Sequence, residues 1–284
     1  MTVCERLARA SSVVVASALA ITCAGAEDAP SLTVEHAYKL DINLQEASGL
    51  TRASPQSVFA HNDEYAIIHE IDVETGKTIR AFAFGKPTSK GDFEGIAMSG
   101  GSLWLVSSDG KLIEGRPAEH AERSRFNVFD TGTPKNCEVE GIAAIEEPGD
   151  FLLLCKASVD AEDKPHLRIF KWSLKNRWRK ARVFLDIRLS ALVPDGSRKD
   201  FRASDLAFEP KSGNLIVLNS NGGLLTITQA GEPVSYEWLD RKAHPQPEGL
   251  ALLPDGRIAI ADEGAKREGV LTIYRRAKPS SPAL

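Results

Sequence analysis

The chain has 284 residues, 42% of them apolar, which is enough for one large domain or two modest ones with a sizeable core. Its formal net charge is −4 and no Lys/Arg run reaches five residues, which argues against nucleic acid as a main partner, because phosphate binding needs a concentrated basic surface. The 22 Gly and 15 Pro are spread along the chain, as many tight turns require.

Residues 1–26 read as a secretory signal peptide. Arg6 and Arg9 form its positive n-region, Ser11 to Ile21 its apolar h-region, and Ala24-Gly25-Ala26 its small-residue cleavage site. The apolar stretch is too short to span hydrocarbon, and no later segment is apolar enough, so no transmembrane segment is expected after cleavage. The expected location is the periplasm or the cell exterior. A lipoprotein acylated at Cys23 is the weaker alternative, because Thr22 stands where a smaller residue is usual. Cleavage also removes Cys4 and Cys23 and leaves Cys137 and Cys155. An oxidising compartment permits a disulfide between these two. A regular hairpin would set Cys155 opposite about residue 142, so a bridge needs a bent or bulged strand; two buried thiols are the other reading.

From residue 45 onward the chain repeats itself. Five segments align: "QEASGLTRASPQSVFAHNDE" (45–64), "DFEGIAMSGGSLWLVSSDG" (92–110), "EVEGIAAIEEPGDFLLLCK" (138–156), "ASDLAFEPKSGNLIVLNSN" (203–221) and "QPEGLALLPDGRIAIADEG" (246–264). Each has an acid near a small residue, an apolar pair, a Gly/Pro/Ser turn and an apolar run that ends in polar residues. The aligned acids are Glu46, Glu94, Glu140, Asp205 and Glu248, at spacings of 48, 46, 65 and 43 residues.

Within a repeat the pattern is strand, tight turn, strand: short β-branched runs bounded by Gly and Asn. Third and fourth strands follow in "AIIHEIDVE" and "KTIRAFAF", in "HLRIFKWSL" and "RKARVFLDI", and in "GLLTITQ" and "VSYEWLD". Four strands in a unit of about 45 residues make the blade of a β-propeller, so the fold class is all-β. Counting gives five blades in one domain over residues 27–276. A sixth is possible only if the 65-residue interval hides a degenerate blade; otherwise that interval holds an insertion within 186–201. The last repeat ends at "GVLTIYRRA" with only about three strands, and "LTVEHAYKL" (32–40) is expected to supply its fourth and close the ring. Residues 277–284 read as a disordered tail. Trp104, Trp172 and Trp238 lie in strand patterns and read as core between blades. The basic "KWSLKNRWRK" (171–180) reads as a strand and a loop rather than a nucleic-acid site.

In a propeller the innermost strand of each blade starts at the face to which the second strand returns. The repeated acids and the polar residues about fifteen positions later therefore gather at one mouth of the channel. Glu46, Glu94, Glu140, Asp205 and Glu248 form the expected inner tier, a candidate metal site. Asp63, Asp109, Lys156, Asn219 and Glu263 form the expected outer tier, a candidate ligand site. Converging carboxylates must protonate, bind a cation or pair with Lys156. Oxygen donors suit Ca²⁺ first and Mg²⁺ second, and the scattered His disfavour zinc or copper. Each acid can equally serve the loop between blades by accepting backbone N–H bonds. Weak catalytic candidates are Asp109, Lys156 and His61, with His244 placed likewise; Ser48 and Ser204 neighbour the ring acids but read best as small strand residues.

"EASGLT", "DFEGIA", "EVEGIA", "ASDLAFEP" with "LIVLNSN", and "QPEGLALLPDGRIAIADEG" resemble, in that order, the SdiA-regulated family of bacterial β-propellers. The resemblance runs from about residue 40 to 275. It implies an envelope-associated propeller with a metal suspected in the channel; the esterase-like phytase propellers are a more distant resemblance. Lys156 departs from the acid or amide that ends the other repeats. Three function classes follow: a binder of a divalent cation and a small-molecule ligand, a metal-dependent hydrolase of phosphate esters, carboxyl esters or lactones, and a scaffold for an envelope protein partner.

Overall fold

The computed structural model describes residues 32–145, 147–156, 158–159, 165–194, 201–264 and 267–277. The expected signal peptide and its cleavage site, and all of the expected tail but residue 277, lie outside the described residues.

The described residues begin with strand β1 (Leu32–Lys39). The first blade is β2 (Ala47–Ser54), β3 (Ser57–Asn62), β4 (Ile67–Asp72) and β5 (Thr78–Phe84). The second is β6 (Phe93–Ser99), β7 (Ser102–Ser107) and β8 (Lys111–Gly115), then the two-residue β9 (Arg123–Ser124), which lies parallel to β5 of the first blade, and β10 (Phe126–Asp130). The third is β11 (Val139–Ala144), β12 (Asp150–Cys155), the short β13 (Ser158–Val159), β14 (Pro165–Ser173) and β15 (Arg182–Arg188). The fourth is β16 (Ala203–Glu209), β17 (Asn214–Asn219), β18 (Gly223–Ile227) and β19 (Pro233–Trp238). The fifth is β20 (Pro247–Leu252), β21 (Ile258–Asp262) and β22 (Val270–Arg276), with β1 as its outer strand. The fold is therefore a five-bladed propeller, and the N-terminal strand closes the ring by antiparallel pairing from Leu32↔Arg276 to Lys39↔Val270. The long third interval holds no sixth blade among the described residues. Its extra length lies in the β12–β14 connection, the nine-residue β14 and the segment after β15, where residues 195–200 of the expected insertion lie outside the described residues.

A propeller has no single central core. Five apolar slabs lie between adjacent blades: Phe59 and Phe82 meet Ile96 and Leu103 between the first and second, and Leu152 and Leu167 meet Leu206 and Val217 between the third and fourth. Middle strands are covered on both faces, which explains runs such as "FLLLC" and "LIVL" without polar alternation. Trp104 and Trp172 lie in the slab between the second and third blades as expected. Trp238 does not: it ends outer strand β19 and is 59% exposed, because an outermost strand has no further strand to cover it.

Cys137 and Cys155 form a disulfide with their Cα atoms 5.1 Å apart. The register sets Cys155 opposite Val139 rather than residue 142, and a bulge between Val139 and Gly141 takes up one residue, so the strand is bent as a bridge requires.

Candidate functional site

The inner strands β2, β6, β11, β16 and β20 each end their sheet, so one edge of each faces the channel axis. There the blades meet backbone to backbone. A Cβ on Gly49 would lie 3.0 Å from the Gly95 Cα, one on Gly95 3.1 Å from the Gly141 Cα, one on Gly141 2.9 Å from the Asp205 Cα, and one on Gly249 3.1 Å from the Gly49 carbonyl carbon. Four blades carry glycine at this crossing because no side chain fits; the fourth blade alone carries one, Asp205. Its Oδ1 accepts the N–H of Leu206 and its Oδ2 that of Leu250, each at 2.7 Å, and the Leu50 N–H donates to it as well. Burial pushes this carboxyl well above the usual range, against the pull of those three donors.

One residue before each crossing, every inner strand slips register against its neighbour: between Ala47 and Gly49, Phe93 and Gly95, Val139 and Gly141, Ala203 and Asp205, and Pro247 and Gly249. A bulge leaves one residue unpaired and re-aims its side chain. The five bulge residues are Ser48, Glu94, Glu140, Ser204 and Glu248. Glu46 and Asp205 are thus not the counterparts of the three glutamates; Ser48 and Ser204 are. Aligning the repeats on the glycine rather than the acid would have shown this, since it also makes the first two intervals equal.

The three bulge glutamates feel one another across the mouth. Burial first, then the charges of Glu140, Asp92 and Glu248, push Glu94 up to about 8. Burial, Glu140 and Glu263 push Glu248 up to about 8. Glu140 is raised by burial but held back by Lys156, whose Nζ lies 2.7 Å from Glu140 Oε1 and 2.9 Å from Glu138 Oε1. Burial lowers the Lys156 ammonium less than these two carboxylates raise it, so it stays protonated.

Outside the bulges, residues flanking the hairpins pair blade by blade. The Ser108 hydroxyl donates to Asp92, Lys156 to Glu138, and the Gln246 amide to Glu263. In the first blade the flanking residues are Glu46, which is exposed, and Asp63, whose Oδ1 is buried with no hydrogen-bond partner among the described residues. Burial raises Asp63; burial, Glu46 and Asp63 raise Glu263, so these three acids lie together. The mouth therefore gathers Glu46, Asp63, Glu94, Glu140, Lys156, Glu248 and Glu263 from the expected tiers, and adds Ser48, Asp92 and Glu138; Ser204 is buried, as a small strand residue, and donates to the Pro247 carbonyl at 2.8 Å.

The remaining expected residues stand apart. Asp109 lies in the β7–β8 turn, where it accepts from Ser107 at 2.6 Å and pairs with Lys111; partial burial would raise it, but these partners hold it low. Asn219 is buried and fixes its own loop, accepting the N–H of Arg202 at 2.9 Å and of Asn221 at 3.1 Å. His61 is buried beneath the mouth; Nδ1 meets the Asn62 carbonyl at 2.8 Å, Nε2 has no partner among the described residues, and burial pushes it down to about 4. His244 is buried between Asp262 at 2.6 Å and the Tyr274 hydroxyl at 2.5 Å.

The donors at the mouth are hard oxygens, which suit Ca²⁺ or Mg²⁺. Among the described residues no three His, Cys, Asp or Glu side chains converge closely enough to hold a metal by themselves. A cation there would be held by one or two of Glu94, Glu140 and Glu248, with water or ligand oxygens completing its shell.

No protein-family model matches the chain, and no curated protein matches its sequence. Solved β-propeller structures do match its fold. Streptogramin B lyase is similar at a TM-score of 0.50 and 11% identity, over 87% of this chain and 98% of that one. The PQQ-bound aldose sugar dehydrogenase of Streptomyces coelicolor is similar at 0.52 and 9%, over 86% and 98%. The glutaminyl cyclase of Myxococcus xanthus is similar at 0.56 and 12%, over 87% and 97%. The chain is a β-propeller. At such identities the likeness carries the fold and nothing of the chemistry.

Proposed function

We propose that this propeller is an exported protein of the SdiA-regulated type whose acidic mouth binds a divalent cation, Ca²⁺ ahead of Mg²⁺, together with a small oxygen-bearing ligand. The observation that carries the reading is the meeting of Glu94, Glu140 and Glu248 at one channel end with Lys156 as their counter-charge. Burial and then the Glu140 charge raise Glu94 and Glu248 so that both are protonated near neutral pH, and a cation would release those protons. Export is supported by the Arg6/Arg9, apolar and Ala-Gly-Ala order of residues 1–26 and by the Cys137–Cys155 disulfide. The family reading is supported by the order of the Ser-Gly-Leu, Glu-Gly-Ile, Ser-Asp-Leu and Pro-Glu-Gly-Leu phrases, each of which opens the inner strand of a blade.

One further observation favours catalysis by the same site. Carboxyls titrating near 8, beside an ammonium group, suit general acid–base work at neutral pH. A bound cation would supply Lewis acidity toward a phosphoryl or carbonyl oxygen. Metal analysis of the purified protein and melting with Ca²⁺ and with chelator test the cation; a screen of phosphate esters, carboxyl esters and lactones with Ca²⁺ tests turnover. Bound metal with a rise in melting temperature that Glu94→Gln/Glu248→Gln abolishes is the expected result. No metal and an unchanged melting temperature would overturn both readings and leave the mouth a structural ring on a scaffold.

A further inference from the structure

The opposite end of the channel has no part in that reading. Beyond the crossing at Asp205 the inner strands continue to a second mouth, where they enclose a cavity of about 360 Å³. That lies within the roughly 300–1,000 Å³ typical of small-molecule sites. Its deep end is lined by Leu50, Ile96, Ile142, Leu206 and Leu250, the residues after the crossing, whose buried side chains fill the slabs between blades and leave mainly their strand edges toward the axis. The next layer is Thr51 with Ala97, Ala143, Ala207 and Ala251. The rim is Arg52, Met98, Ala144, Phe208 and Leu252. Asp205 and the glycine crossing stand between this cavity and the acidic mouth, so the two ends are separate sites.

The charge around the rim is one-sided once internal pairs are removed. Glu209 is engaged by Arg276 at 2.6 Å and by the Ser212 hydroxyl. Arg257 is engaged by Glu74 at 2.6 Å and Asp255 at 2.8 Å. Arg52 is exposed and has no ion pair or side-chain hydrogen bond among the described residues. Lys211 is also exposed and reaches the Pro254 carbonyl at 3.4 Å but no carboxylate. Arg52 lies on the first blade and Lys211 on the β16–β17 turn of the fourth, so two cations without acid partners flank an apolar bowl from non-adjacent blades. A mainly apolar cavity favours an apolar ligand body, and its two cations select for negative charge at the opening.

We propose that this second mouth binds an amphiphilic carboxylate, its aliphatic chain against the Ala layer and the partly exposed Met98, Phe208 and Leu252 and its head group between Arg52 and Lys211. The site is independent of the acidic mouth, and its test leaves that mouth untouched. Hexanoate, octanoate, octanol and octylammonium are titrated calorimetrically into the full chain. Octanoate should bind about tenfold more tightly than hexanoate, because two more methylenes are buried. It should also exceed octylammonium by at least about tenfold, as a charge-assisted contact requires. Arg52→Ala/Lys211→Ala should lose that octanoate advantage and leave octanol unchanged; Ala144→Phe, at the half-exposed rim, should weaken octanoate and octanol alike. No octanoate binding at millimolar concentration, equal affinity for octylammonium, or an octanoate affinity that folded Ala144→Phe leaves intact would overturn the proposal. If the variants fail to fold, the head-group series on the unaltered protein decides it.

Discussion

Asp205 Oδ2 accepts the backbone N–H of Leu250 at 2.7 Å, so the one side chain at the axial crossing ties the fourth blade to the fifth. The same carboxyl takes the N–H of Leu206 and of Leu50, donors on strand edges that have no neighbouring strand. Asp205→Ala would leave three buried N–H groups without an acceptor, at about 1–3 kcal/mol for each that water cannot reach. Chemical denaturation should show Asp205→Ala less stable by roughly 3 kcal/mol and Asp205→Asn, which keeps one oxygen, by about half of that. A loss of less than about 0.5 kcal/mol for Asp205→Ala would show that the axis does not need the carboxyl.

Ring closure depends on β1. Its antiparallel pairing with β22 from Leu32 to Lys39 covers an edge that would otherwise offer unpaired N–H and C=O groups to another chain. A chain starting at residue 41 should therefore associate or precipitate, which light scattering would detect. A monodisperse, cooperatively melting truncation would show that the five slabs between blades hold the ring without the strap.

The disulfide closes an 18-residue separation that includes the β11–β12 hairpin. In the chain-entropy account a loop of that size is worth about 3 kcal/mol. Cys137→Ser/Cys155→Ser should lose about 2–4 kcal/mol in urea titrations. Because Cys155 is fully buried and Cys137 nearly so, dithiothreitol should act on the native protein only slowly, and much faster in urea.

Much of this architecture was legible in the sequence because a propeller writes one strand pattern per blade: the blade count and the closing strand both follow from the five phrases and "LTVEHAYKL". The mouth was legible more coarsely. Glu94, Glu140 and Glu248 lie where the repeat puts them, but Glu46 and Asp205 look equivalent only while the acid is taken as the constant. What the ring constrains is the glycine, since four backbones cross where no Cβ fits, and the bulge before it is free to be Glu or Ser. Asp109 lies one residue past Ser108 and Asn219 one residue before Ser220, the residues that flank those two hairpins, a distance within which a side chain turns from the mouth to its own loop. Trp238 shows the same limit from outside: alternation marks a strand but not whether another strand covers it.

Stability should fall as pH rises from about 4.5 to about 8. Glu94 and Glu248 titrate near 8 in the folded chain, whereas an unfolded glutamate titrates near ~4.3. Between those values the folded state holds more protons than the unfolded state, so each rise in pH favours unfolding, and the loss is complete above the folded value. Glu140 and Asp205 shift in the same direction and add to the slope. Melting temperatures from pH 4.5 to 9 should decline toward pH 8 and level off, and Glu94→Gln/Glu248→Gln should show a shallower decline. A double variant with an unchanged slope would mean that these two carboxyls ionise as they do in the unfolded chain.

Lys156 can serve the mouth in two ways, and Ca²⁺ titration separates them. As the counter-charge of Glu138 and Glu140 it competes with any cation for Glu140 Oε1, which it approaches to 2.7 Å. Lys156→Gln should then raise Ca²⁺ affinity roughly fivefold at pH 8.5, a gain of the size expected for removing one partly exposed ion pair. Lys156→Arg, which keeps the charge, should bind Ca²⁺ as the unaltered protein does. As an anchor for an anionic ligand group, by contrast, Lys156 would leave Ca²⁺ affinity unmoved and lower only the affinity of a ligand added after the cation. Calorimetry with Ca²⁺ alone, then with Ca²⁺ and inorganic phosphate, distinguishes the two. A weaker Ca²⁺ site in Lys156→Gln would refute the competition, because it would mean that the ammonium holds Glu140 in place for the cation instead of occupying that place itself.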